Sequence, residues 1–181
     1  MGTPNGSGDL YIFAGLVSDQ VKNDLYVLNV NNTNLLPSSS TNNPSIPSSS
    51  ILNSSAAALH QNQVLTVGVV ETRGEVPLPR VGHASVGVGN VLIVWGGDTK
   101  TREDQKQDDG LYLLNLSTRE WTRVKVSGQS PEGRYGHSAA IIGSKFYIFG
   151  GQTDNGSFMN DLWAFDLHRR QYTYIYISAY L

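Results

Sequence analysis

Apolar and polar positions alternate through three short segments, each opening on an acidic or amide residue: NDLYVLNV from Asn23, DGLYLLNL from Asp109 and NDLWAFDL from Asn160. A period of two sends successive side chains to opposite faces, so each segment predicts a half-buried β-strand. Upstream of each lies a more continuous apolar run that closes on small residues: YIFAG at 11–15, VLIVWGG at 91–97 and FYIFGG at 146–151. Downstream of the second and third stand WTRVKV from Trp121 and YTYIYI from Tyr172, rich in β-branched and aromatic residues. The pattern predicts strands near 10–14, 24–30, 64–71, 83–88, 91–96, 111–116, 120–126, 137–142, 145–150, 161–167 and 171–177. Short turns between them favour antiparallel neighbours, and no long helix is expected.

The strands recur in register. PRVGHASVGVGNVLIVWGG, residues 79–97, returns as GRYGHSAAIIGSKFYIFGG, residues 133–151, so that His83 and His137 stand 54 residues apart, as do Gly97 and Gly151. The repeated unit has four strands, a to d, with Gly89-Asn90 and Gly143-Ser144 turning a into b, where positive φ suits Gly and Asn. The marks of the unit are Gly15, Gly82, His83, Gly96, Gly97, Trp121, Gly136, His137, Gly150, Gly151, Trp163 and Tyr172. All are assigned structural roles, the glycine pairs admitting a close backbone approach that a Cβ would block. A period near 50 residues with four strands per unit predicts propeller blades. The expected organisation is a partial blade at 9–71, a blade at 79–127 and a blade at 133–178. Rings of this kind close with about four to eight blades, so the chain is expected to be part of a longer protein and to self-associate through open blade edges.

The first unit departs from the others. Ala14 replaces the first glycine, Val67 takes the place of Trp121 and Tyr172, and 32 extra residues separate strands c and d. Within this excursion Ser and Asn dominate, and no Asp, Glu, Lys or Arg occurs between residues 25 and 70. Such a segment buries too little apolar surface to offset its ordering entropy, so 31–63 is expected to be a disordered insertion, either inert or a target of phosphorylation.

Composition narrows the function. With net charge −2 the chain has no general attraction to nucleic acid or an anionic membrane. Neither a signal-peptide pattern nor an apolar run of membrane-spanning length is visible, and the cytoplasm is the default expectation. Absence of cysteine removes disulfides, thiolate metal sites and a cysteine nucleophile. His83 and His137 recur with the repeat, which favours a hydrogen-bonded structural histidine over a catalytic one. Arg80 and Arg134 either bind backbone carbonyls or meet a partner's carboxylate. The loop 98–110 is the most charged stretch, but Lys106 interrupts Asp104, Asp108 and Asp109 and no EF-hand pattern is present. It reads instead as a solvated loop that contacts a partner. Candidate protein-binding residues are therefore Arg80, Arg134, Lys100, Arg102, Glu103, Lys106, Asp108 and Asp109, with no catalytic residue, metal or cofactor. Strands that alternate in direction would put the b–c and d–a loops at one end, which is the expected docking face.

KNDLYVLNV, GEVPLPRVGHAS, VLIVWGGDTK, QDDGLYLLNL, GRYGHS and FMNDLWAFDL together resemble the kelch repeat, most closely that of the fungal cell-end marker proteins. The resemblance implies an all-β, kelch-type propeller arc of four-stranded antiparallel blades, two full and one partial. It further implies a non-enzymatic protein-binding platform for polarity, microtubule-end or cortical proteins, at the cell cortex or growing tip. A substrate-recruiting kelch adaptor of a ubiquitin ligase is the alternative. Galactose oxidase has similar blades, but its copper centre needs a tyrosine cross-linked to cysteine, which this chain lacks.

Overall fold

A computed structural model of the chain describes residues 9–29, 66–99 and 108–176, and these form strands and turns with no helix. The first sheet contains β1 (Asp9–Val17), β2 (Gln20–Asn29) and β3 (Thr66–Val70), in that order and antiparallel. The second is built from β5 (Ala84–Val88), β6 (Val91–Trp95), β7 (Leu111–Asn115) and β8 (Glu120–Arg123). The third repeats that order with β10 (Ser138–Ile142), β11 (Lys145–Phe149), β13 (Leu162–Asp166) and β14 (Gln171–Ile175). All eleven expected strands are present, most of them trimmed by a residue or two at one end.

Three two-residue strands were not anticipated. β4 (Arg73–Gly74) adds to the outer edge of β8 in parallel, so the second sheet has five strands and is not purely antiparallel. The chain leaving the first sheet thereby laces itself onto the rim of the second before entering β5. Beyond β4, the Glu75 carboxylate accepts the backbone N–H of Arg123 at 2.8 Å, giving an edge donor an acceptor other than a foreign strand. β9 (Arg134–Tyr135) and β12 (Gln152–Thr153) form a small antiparallel pair beside the third sheet. Two-residue pairings carry no period, so the sequence pattern could not announce them.

Apolar side chains facing adjacent sheets make two cores. Phe13 and Leu25 of the first sheet meet Leu92, Val94, Tyr112, Leu114 and Trp121. Val86, Ile93, Trp95 and Leu111 meet Phe146, Ile148, Phe165 and Tyr172. The second sheet is thus buried on both faces, which is why VLIVW reads as a continuous apolar run where the half-buried β10 alternates. The expected disordered insertion at 31–63 lies outside the described residues.

Candidate functional site

Each sheet is joined to the next by the same set of contacts. Gly15 donates its backbone N–H to the Arg80 carbonyl at 3.0 Å, and Gly97 donates to the Arg134 carbonyl at 2.8 Å. The guanidinium of each arginine turns back into its own sheet. Arg80 Nη1 donates to the Gly96 carbonyl at 2.8 Å, Nε to the Leu78 carbonyl at 3.0 Å, and Nη2 to Asp108 Oδ2 at 2.7 Å. Arg134 repeats the pattern on the carbonyls of Gly150 and Glu132, with Asp161 as its bidentate carboxylate partner. Exposure is 0% for Arg80 and 1% for Arg134.

Of the two roles expected for the arginines, contact with backbone carbonyls is the one observed, and only their place among the candidate protein-binding residues is corrected. Their donors are spent inside the fold, and a partner's carboxylate has no access to them. Asp108 is likewise not a solvated loop residue, since its side chain is 9% exposed. It accepts hydrogen bonds from Tyr112 Oη, Arg80 Nη2 and the Gly110 N–H. Burial would raise its carboxyl pKa, but the bonds from Tyr112, Arg80 and Gly110 outweigh that and hold it low. Asp161 is held low in the same way, burial being outweighed by Arg134 and Trp163. Tyr112, buried and bonded to Asp108, is pushed up to about 12. Asp109 stands 3.6 Å from Arg123 Nη2, and its carbonyl accepts the Trp95 indole N–H.

The histidines are structural. His137 lies edge-on to Trp95 with ring centroids 4.9 Å apart, and His83 to Phe13 at 5.7 Å, so each ring caps the end of the preceding sheet's core strand. Nδ1 of His83 has no hydrogen-bond partner among the described residues, while the backbone of Phe13 bonds the His83 ring and that of Trp95 and Arg134 bonds His137. Packing against these rings and bonds to neighbouring backbone both hold them, and burial pushes both down to about 4, neighbouring arginines adding to it and the backbone bonds opposing it. The glycine marks fit around them. A Cβ at Gly97 or Gly151 would stand 2.8 Å from the Cβ of His83 or His137. Trp121 and Tyr172 are buried in the two cores, and Trp163 donates to Asp161 Oδ2 at 2.8 Å. Gly82 and Gly136 take φ near +65° and are bonded to each other, the Gly136 N–H to the Gly82 carbonyl at 2.8 Å.

Sequence reasoning missed Asp161 as the carboxylate that neutralises Arg134. The signal was present in the acidic mark before each strand c, which reads as a turn residue until it is set beside an arginine of the same period. Lys100, Arg102, Glu103 and Lys106 lie outside the described residues. Among the described residues no three His, Asp or Glu side chains converge as a metal site would require, and no helix is long and apolar enough to cross a membrane.

Large apolar side chains are exposed on the strands of the first and third sheets, among them Ile12, Val67, Val69, Ile142 and Phe149, and also on the loops between strands. Asn23 Nδ2 donates to the Pro77 carbonyl and Arg80 N–H to the Lys22 carbonyl, so the start of β2 lies against the d–a loop leading to the next sheet. On that d–a loop Leu78 is 48% exposed, and on the loop between β12 and β13 Phe158 is 83% exposed. The Phe158 loop is tightly held: the Thr153 N–H donates to the Ser157 carbonyl, Met159 to Gly151, and Thr153 Oγ1 to Asn155 Oδ1.

Successive antiparallel sheets packed face on face and tied at the ends of their strands by Arg, Gly-Gly and His marks define a kelch-type β-propeller arc, and comparison with known proteins agrees. The family described as KLHDC2/KLHL20/DRC7 Kelch-repeats domain matches residues 58–180, and the chain belongs to the kelch-repeat family. Tip elongation aberrant protein 1 of Schizosaccharomyces pombe is 40% identical over 164 residues, which are 90% of this chain and 11% of that protein. Kelch repeat-containing protein 2 of Saccharomyces cerevisiae is 48% identical over 97 residues, 50% of this chain and 11% of that protein. Kelch domain-containing protein 3 of Homo sapiens is 35% identical over 101 residues, 55% of this chain and 26% of that protein. The chain therefore spans a small part of the relatives it matches.

Proposed function

We propose that this chain is a non-enzymatic protein-binding kelch module that serves as a scaffold in cell polarity or cytoskeletal organisation, acting at the cytoplasmic cortex or growing tip. The observation that carries the reading is Phe158, a large apolar side chain held out to solvent on a loop locked by its own hydrogen bonds. An anchor already fixed in place loses little conformational entropy on binding, which is what a hot-spot residue needs. The repeated Arg, Gly and His residues are occupied in joining the blades, which leaves recognition to the loops. Similarity to a protein named for tip elongation, over nine-tenths of this chain, supports the polarity setting.

The docking face is assigned to the b–c and d–a loops, including the charged stretch that holds Lys100, Arg102, Glu103 and Lys106. In the full-length protein, charge reversal at Arg102, Glu103 and Lys106 is expected to weaken capture of cortical or microtubule-end proteins, and deletion of 31–63 to leave it intact. The opposite result, with binding lost on deletion and kept on reversal, would put the docking face at the other end.

A further inference from the structure

The outer strands of the second and third sheets do not close on one another. Between them lie two adjoining cavities of about 430 and 420 Å³, which share Glu75, Arg123, Val124 and Lys125 along one wall. Tyr172 lines the first, while Leu113, Phe165 and Leu167 line the second. Gln171 Nε2 reaches Ser127 Oγ across the gap at 3.2 Å. The first cavity has the more polar lining and the second the more apolar one, and each is of the size of a ligand site.

Two features distinguish it from a packing gap. The Tyr172 hydroxyl is buried, the residue being 8% exposed, and has no hydrogen-bond partner among the described residues. A buried hydroxyl left unpaired is costly, and it calls for an explanation. Burial, with the charge of Asp109 added, pushes the phenol above its ordinary pKa, so the group stays protonated and can donate a hydrogen bond. The second feature is the charge balance at the rim. Both acids are already engaged by Arg123, Asp109 through its guanidinium and Glu75 through its backbone N–H. Lys125 and Arg170 carry no ion pair among the described residues. What remains unpaired is a set of donors: one phenol, one ammonium and one guanidinium, beside an apolar floor.

We propose that this groove between the sheets is a second binding site, which takes a short acidic peptide segment carrying an aliphatic or aromatic residue beside Asp or Glu. The carboxylate accepts from Tyr172 and Lys125, and the apolar side chain lies on Leu113, Phe165 and Leu167. Two cavities side by side along residues 122–126, one with the phenol and the other with the apolar floor, suit two neighbouring side chains of a peptide. Because Glu75 already occupies the outward N–H of Arg123, recognition runs through side chains rather than by addition of a strand. The site is separate from the loop-end face, and either can fail without the other.

The test is calorimetric titration of the full-length protein with three probes: acetyl-Leu-Asp-Phe-Glu-amide, its isostere acetyl-Leu-Asn-Phe-Gln-amide, and 4-phenylbutyrate. The acidic peptide is expected to saturate, the isostere to bind at least tenfold more weakly, and Tyr172→Phe or Lys125→Ala each to weaken the acidic peptide at least tenfold. Phe158→Ser should leave that affinity unchanged. Tyr172→Phe removes a hydroxyl that has no partner, so the ligand-free protein should melt no lower, which separates a lost contact from a damaged fold. Absence of saturation, equal binding of the isostere, or an unaffected Tyr172→Phe variant overturns the proposal. Saturation by phenylbutyrate without the peptide also overturns it and assigns the groove to a free carboxylate.

Discussion

His137 stands over the glycine that ends the neighbouring sheet's core strand: its Cε1 lies 2.6 Å from where a Cβ on Gly96 would be, and the Arg134 carbonyl lies equally close. One sheet's histidine and the next sheet's glycine are therefore a single steric unit, reinforced by φ of +68° at Gly96. Gly96→Ala should cost more than about 2 kcal/mol, since strain and clash act together. At the equivalent position of the first sheet Ala14 already occupies φ +58°. Ala14→Gly should relieve the left-handed strain and gain a few tenths to about 1 kcal/mol, the greater freedom of unfolded glycine offsetting part of it. Chemical denaturation of both variants checks the opposite signs.

Arg134→Lys should destabilise the chain by about 2 kcal/mol or more. Lysine cannot supply the fork that meets Asp161 and the Gly150 and Glu132 carbonyls together, and a buried carboxylate is left poorly compensated. The double variant R134M/D161L should recover part of the loss, because it removes both charges at once. Urea midpoints at constant m-value measure this.

Stability should fall with acidification from about pH 6.5 towards pH 4. His83 and His137 have folded pKa values near 4 against an ordinary 6.5, so the unfolded state binds protons first. Their contribution is complete above pH 6.5 and is lost as pH falls through the folded value, on the order of 3 kcal/mol for the more buried His137. His137→Phe keeps a ring against Trp95 and cannot titrate. Thermal unfolding across this range should show a shallower pH slope for it than for the parent.

Replacing 31–63 with a short Asn-Gly turn should leave the unfolding temperature nearly unchanged. The excursion departs and returns at residues already paired, Asn29 opposite Thr66, so a hairpin turn can close the same register. A loss beyond about 2 kcal/mol would show that the segment packs against the sheets.

Phe158→Ser and Leu78→Ser should weaken partner capture by the full-length protein while shifting stability by no more than about 0.5 kcal/mol. Both side chains are exposed and contribute little to either core. Parallel binding and melting measurements decide between docking residues and hidden structural ones.

The strands, their order along the chain and the sheet unit are all legible in the sequence. Alternation fixes which side chains face a neighbour, and the repeat at 54 residues places Arg80 on Arg134 and His83 on His137 without reference to any fold. It could not decide what those repeated residues touch. Arg80 binds Asp108 while Arg134 binds Asp161, and the intervening loops differ in length, so the two pairs do not share a spacing. Only the tertiary structure brings each guanidinium to its carboxylate, because desolvation on burial leaves an arginine no choice but to find every acceptor within reach. The parallel β4 to β8 contact and the unpaired Tyr172 hydroxyl are of the same kind. Both arise where neighbouring sheets meet, and the packing of one sheet on the next is a property of three-dimensional shape that no local period encodes.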